Sequence, residues 1–305
     1  MSHGTKVWVA LGAVYVLWGS TYLGIELAGE TIPPLFAVAW RFVVAGALMA
    51  GWVAWRRGVS ALRVSRAELG SAALIGALLP GANALLFVAE RDVPIGLASL
   101  VIASVPLLVV ILRLAGGERP TRGAVVGVVI GFAGIALLVR PGGGATAGGL
   151  ALVVGSAVAW AVGSYLSGRL PMPRDAFAAT ALEMLAGGLM LLPIGLLATD
   201  FEPSEWSTRS ILGWWYLVGF GSLLGFTAYV WLLQHAPLGK VATYAYVNPV
   251  VAIALGAIVL HEAVTWRIVL GAAIVLAAVA AVVRRESVPA ETEAAPAGAA
   301  RLPDS

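Results

Sequence analysis

Few side chains in this sequence could do chemistry, and most of them lie inside long apolar runs. Arg41 stands within the run 34–55 and Glu183 within 175–198. A charge at the centre of a membrane-spanning helix costs at least about 2.5–3.5 kcal/mol, so one that persists faces a cavity or a partner. A guanidinium at position 41 could clamp a carboxylate bidentately. Equally, it could pair with Glu26 or Glu183, or snorkel. Glu183 could hold a substrate ammonium, take up a proton, or form a fixed pair with Arg41. Glu26, near the end of the run 7–27, reads as cavity-facing or merely interfacial.

The sequence has two Asn, Asn83 and Asn248, and both lie inside apolar runs. A buried amide needs hydrogen-bond partners, so each bridges helices or faces polar cargo. Aromatic and hydroxyl side chains gather in the first run of each half. These are Trp18, Thr21 and Tyr22 beside Ser20, then Trp160 and Ser164 beside Tyr165. Tyr244 and Tyr246 add two phenols near Asn248. Packing explains most membrane aromatics, but such a wall would suit amphipathic cargo and, by cation–π contact, an ammonium group. Pro80, Pro106 and Pro249 fall inside runs, where each frees a carbonyl and either shapes a site or kinks the bundle.

Other chemistries are excluded or thinly supported. Without cysteine there is no disulfide, thiol nucleophile or thiolate metal site. The three His, at 3, 235 and 261, have no metal-clasping spacing. No cofactor motif occurs, and the absence of a Gly-x-x-x-x-Gly-Lys-Ser/Thr loop excludes direct use of ATP. The basic residues form no stripe of the kind nucleic acid requires. His261-Glu262 could begin a lipid-acting enzyme site but lacks a third partner.

The elements that hold these residues are set by composition. Charged residues make up 11% of the chain and hydrophobic ones 60%, too little charge for a water-facing surface. About 20 apolar residues cross the hydrocarbon core, and ten segments qualify. They are 7–27, 34–55, 67–89, 94–113, 122–140, 147–168, 175–198, 209–233, 239–260 and 266–284. The expectation is an all-α integral membrane protein. The first segment could be a signal peptide, but it is long for a signal core and has a counterpart in the second half. Trp52, Trp55, Trp206, Trp214 and Trp266 fall near segment ends, as interfacial anchors do. With the N-terminus inside, 14 Lys and Arg lie on the inner side and 4 on the outer, which predicts cytoplasmic termini. The tail 285–305, rich in Ala, Pro and Glu, reads as disordered.

The two halves repeat. Phe36-Ala37 and Ala45-Gly46-x-Leu48-Met49 recur as Phe177-Ala178 and Ala186-Gly187-x-Leu189-Met190, at an offset of 141. Pro94-x-Gly96 and Pro106 recur at Pro237-x-Gly239 and Pro249, offset 143. Glu118-x-x-Thr121 and Gly127 recur at Glu262-x-x-Thr265 and Gly271, offset 144. Units 1–140 and 147–284 would each hold five spans. Five is odd, so the second enters the membrane inverted, and inverted repeats place a substrate site near the midplane.

Several stretches carry a family resemblance. They are Leu17-Trp18-Gly19-Ser20-Thr21-Tyr22, Arg41-Phe42 with Ala45-Gly46, Val93-Pro94-x-Gly96, Gly117-Glu118 and Tyr244-Ala245-Tyr246-Val247-Asn248-Pro249-Val250. By these the chain resembles the EamA-type branch of the drug/metabolite transporter superfamily, and within it the YedA-like bacterial inner-membrane exporters. The resemblance covers about residues 7–284. It implies a basket of ten helices, four from each repeat around a central cavity, and export of small metabolites, often amino acids. Efflux of toxic cations or drugs is the alternative. The expected partners are a small-molecule substrate and the bilayer. Proton coupling through Glu183 and facilitated diffusion both stay open, as do monomer and homodimer.

Overall fold

The computed structural model describes residues 1–138, 145–198, 202–236 and 238–286. Arg140, the glycines 142–144, Asp200, Pro237 and the tail beyond residue 286 lie outside the described residues. All regular structure among those described is helical: α1 (His3–Gly19), α2 (Thr21–Gly29), α3 (Pro34–Arg57), α4 (Arg66–Ala89), α5 (Ile95–Ile102), α6 (Val105–Ala115) and α7 (Arg122–Leu138). Then follow α8 (Ala147–Ser167), α9 (Ala176–Leu197), α10 (Thr208–Tyr216), a π-helical stretch Leu217–Leu224, α11 (Gly225–His235), α12 (Leu238–Val241), α13 (Tyr244–Val259) and α14 (Trp266–Glu286). Joined across their breaks, these make eight segments long and apolar enough to cross a membrane, with Arg122–Leu138 and Tyr244–Val259 as shorter apolar helices. Large apolar side chains such as Trp55, Val129, Leu197 and Ile258 are exposed on the outside, a surface suited to hydrocarbon and not to water.

Helix starts follow from the sequence. The Ser65 hydroxyl accepts from the Glu68 N–H at 3.2 Å, and the Glu68 carboxylate accepts from the Ser65 N–H at 2.7 Å, a reciprocal cap that opens α4. Asp175 accepts from the Phe177 and Ala178 N–H groups at 2.9 and 3.2 Å, and Thr146 from Gly149 at 3.0 Å, which fixes the starts of α9 and α8. Pro33 caps α3 and Pro34 takes its first position, where proline's fixed φ suits a helix start.

Small residues decide how closely the helices approach. α3 lies along α9, α4 along both α8 and α9, and α7 along α14. A Cβ on Gly187 would stand 2.3 Å from the Gly76 carbonyl oxygen, and one on Gly76 would stand 2.4 Å from that of Glu183. Only glycine allows such backbone contact. The two Gly-x-x-x-Gly runs also pack internally: Gly127 meets Val282, Gly131 meets Leu107, and Gly225 meets Trp18. One anchor is corrected. Trp214 is buried, and its Nε1 donates to the Ala37 carbonyl at 2.8 Å, so it joins α10 to α3 and is not an interfacial ring. Trp55 and Trp266 are exposed as expected.

A central cavity with one unpaired cation

Four interruptions in the helices create the site. The Ser20 hydroxyl donates to the Val16 carbonyl at 2.6 Å, competing with the helix ladder where α1 gives way to α2. α5 stops at Ala103–Ser104 ahead of Pro106, and α12 stops at Ala242–Thr243 ahead of α13 with Pro249 inside. The Gly- and Ser-containing stretch Leu217–Leu224 adopts π geometry, which offsets the ladder and frees carbonyls to accept from elsewhere.

These breaks surround a cavity of about 860 Å³, its open mouth included. Arg41 enters it from α3. It is 3% exposed, and its Nε donates to the Ser222 hydroxyl at 2.9 Å. Its Nη1 finds no partner among the described residues. The guanidinium stands 5.0 Å from the Phe42 ring centroid. A Cβ on Gly221 would lie 3.1 Å from Nη2, so glycine is what lets the π stretch approach the cation.

Trp18 anchors the aromatic part of the lining. Its Nε1 donates to the Gly221 carbonyl at 3.2 Å, one of the groups that the π turn offers. Its ring packs edge-on to Tyr244 and Phe226 at 5.1 and 5.2 Å, and tilted on Tyr229 at 5.0 Å. The Thr21 hydroxyl donates to the Trp18 carbonyl at 2.6 Å. The Asn83 amide donates to the Leu79 carbonyl at 3.1 Å, which leaves its oxygen for the cavity. Asn248, oriented to suit its neighbours, donates to the Tyr15 and Tyr244 carbonyls, each at 3.2 Å. Both amides therefore tie backbone and line the cavity together.

Of the residues expected from sequence, Trp18, Thr21, Tyr22, Arg41, Asn83, Trp160, Tyr244 and Asn248 line this cavity. Glu183, Ser164 and Tyr246 do not. Glu183 belongs to α9 where that helix abuts α4, and it has no ion pair with Arg41 or with any other described residue. Ser164 is exposed one turn beyond Trp160. Tyr246 lies more than half a turn from Tyr244, off the face that carries residues 244, 245, 248 and 249. Sequence reasoning missed Ser99, Ser156 and Gly221, which also line the space. The two serines bond the Gly96 and Ala82 carbonyls at 2.8 and 2.7 Å, and no spacing signals that.

No carboxylate is among the lining residues. The cavity thus offers one buried cation with an unspent donor, a rim of amides and hydroxyls, and an aromatic wall. Such a space can take a small anion or the carboxylate end of an amphipathic molecule. The His261-Glu262 pair is occupied elsewhere: the Glu262 carboxylate accepts from the Ile95 and Gly96 N–H groups at 2.7 and 3.2 Å, capping α5.

Comparison with known proteins adds identity to this geometry. The model of the EamA-like transporter family matches twice, over residues 6–140 and 147–284. The uncharacterized inner membrane transporter YedA of Escherichia coli (strain K12) is 37% identical over 252 residues, covering 81% of this chain and 80% of that protein. The uncharacterized transporter YvbV of Bacillus subtilis (strain 168) is 27% identical, over 90% of each. A solved crystal structure with 26% identity superposes at a TM-score of 0.63, covering 94% of this chain and all of the other. A membrane bundle around a cavity, matched along both halves by one family model, belongs to the EamA-like transporter family.

Proposed function

We propose that this protein is a secondary transporter that exports small carboxylate-bearing metabolites, amino acids first among them, by alternating access. The observation that carries the reading is Arg41, buried on the cavity with Nη1 unpaired among the described residues and no carboxylate among the residues that line the space. An unpaired buried guanidinium is costly, and a cargo carboxylate entering the cavity would supply both the charge and the acceptors that it lacks. The wall of Trp18, Trp160 and Tyr244 would receive the apolar or ammonium end.

The moving parts in this reading are two inverted repeats of five spans each, 1–140 and 147–284. Packing that exchanges under the repeat supports it. Spans two and seven, as α3 and α9, pack on each other, as do five and ten, as α7 and α14. The first span packs on the eighth and ninth, and its mate, the sixth, packs on the third and fourth. The name of the YedA relative and the bias in basic residues favour a bacterial inner membrane with both termini cytoplasmic. The aromatic wall favours a second reading, efflux of organic cations, which the acid-free cavity opposes.

Uptake of labelled amino acids and of their decarboxylated amines into proteoliposomes tests the choice. Saturable uptake of carboxylated solutes, lost in Arg41→Ala, supports carboxylate transport. Uptake confined to amines and hydrophobic cations would reject it.

A further inference from the structure

Glu90, which follows the last residue of α4, is a second buried ionisable side chain with polar atoms that find no partner among the described residues. It is 5% exposed, and neither carboxylate oxygen has a hydrogen-bond partner among the described residues. It lines a small pocket of about 270 Å³ with Glu26, Gly29, Glu30 and Arg91. The surrounding charges give it no relief. Arg91 shares the pocket without bonding it, Glu30 is paired with Arg209 at 3.1 Å, and Glu262 is spent on the cap of α5. Glu26 from α2 and Glu262 from the α13–α14 loop add like charge, and Tyr22 on the cavity wall lies within its field. Burial first, then those two carboxylates, push the Glu90 carboxyl well above the usual range. An ionised carboxylate in that place would lack donor and counter-ion alike.

We propose that Glu90, facing Glu26, is a proton-binding site separate from the cargo cavity and divided from it by Ile25, which lines both spaces. The proton adds to a Glu90 carboxylate oxygen, which makes the group neutral, and it leaves to water when the pocket opens. The consequence for transport rests on the function proposed above: α2 carries Tyr22 and Ile25 on the cargo cavity and, one turn beyond Tyr22, Glu26 on the small pocket, so proton occupancy and cargo occupancy would bias the same element. With α1 starting inside, this pocket faces outward.

Infrared difference spectra of the purified full-length protein, recorded as pH is stepped, read the site without any transport. The C=O stretch of a protonated carboxyl should be present at neutral pH and missing in Glu90→Gln. Glu26→Gln removes a like charge and keeps Glu90, so there the same band should titrate lower by about one pH unit, the scale on which neighbouring carboxylates couple. That shift remains a test should Glu90→Gln fail to fold. A band unchanged in Glu90→Gln, or a wild type without a protonated carboxyl at neutral pH, overturns the site. In proteoliposomes one coupled proton sustains about a tenfold cargo ratio per unit of pH difference; Glu90→Gln should lose that accumulation and keep cargo-for-cargo exchange. A Glu90 band with no cargo flux at all would leave the proton site standing and defeat the transport reading instead.

Discussion

Replacing Arg41 with methionine should weaken cargo binding and leave the empty protein as stable as before, or more so. In the empty state the guanidinium is 3% exposed and, among the described residues, holds one bond to a neutral hydroxyl, Ser222, while Nη1 holds none. That bond returns about 1 kcal/mol. An uncompensated buried ion costs several kcal/mol, so the sum favours an apolar side chain of similar reach. With cargo bound the sign reverses. A charge-assisted bond to a carboxylate contributes about 1.5–3 kcal/mol, which is about ten- to a hundredfold in Kd. The assay is calorimetric titration of purified protein with an amino-acid substrate and with its decarboxylated amine, alongside thermal unfolding. Wild type should prefer the carboxylated form by that factor, and Arg41→Met should bind the two alike with an unchanged or higher Tm. A lower Tm together with retained preference would refute the reasoning, because Arg41 would then be a structural partner.

Three further outcomes follow from the packing and the loops. Gly187→Val places a side chain where a Cβ alone would stand 2.3 Å from the Gly76 carbonyl, so α4 and α9 must part; thermal unfolding should show a loss of about 1–3 kcal/mol. Glu262→Ala removes the acceptor for the Ile95 and Gly96 N–H groups and should cost about 1–2 kcal/mol in the same measurement, whereas Glu262→Gln should recover part of it. Glu118, in the loop before α7, is held below its ordinary value of 4.5 by its hydrogen bond from Arg113, at 2.6 Å, and then by Arg169. A depressed carboxylate stabilises the fold above its unfolded value and ceases to do so as pH falls through its folded one. The wild-type advantage in Tm over Glu118→Gln should therefore be full above pH 4.5 and shrink below it.

The spans were legible because twenty apolar residues have few other uses. The run 34–55 became Pro34–Arg57 and 67–89 became Arg66–Ala89, with Pro-Pro and a Ser cap marking the starts. The breaks inside spans were less so. Ser20 interrupts α1 and α2 by bonding Val16, and serine does this in some helices and not in others. The π stretch at 217–224 has no signature beyond its glycines. In the site, polar residues within apolar runs pointed to Arg41, Asn83 and Asn248, because a bilayer tolerates them only with a purpose. The same rule overreached at Glu183. Depth in the membrane could be read from the run, but the face could not, and Glu183 sits in the helix that abuts α4 and not among the cavity-lining residues. Glu90 went unnoticed for the opposite reason: at the end of a run a carboxylate looks solvated, and its burial, in a pocket lined by Ile25, Glu26 and Gly29 of α2 and by Phe87, comes only with the fold.

Counterflow across proteoliposomes, with labelled amino acid outside and unlabelled amino acid inside, tests the central claim most directly. The account predicts a transient overshoot of label in wild type, blocked by other carboxylated solutes, insensitive to their amines, and absent in Arg41→Met. An overshoot that survives in Arg41→Met, or that amines suppress and carboxylates do not, would contradict it.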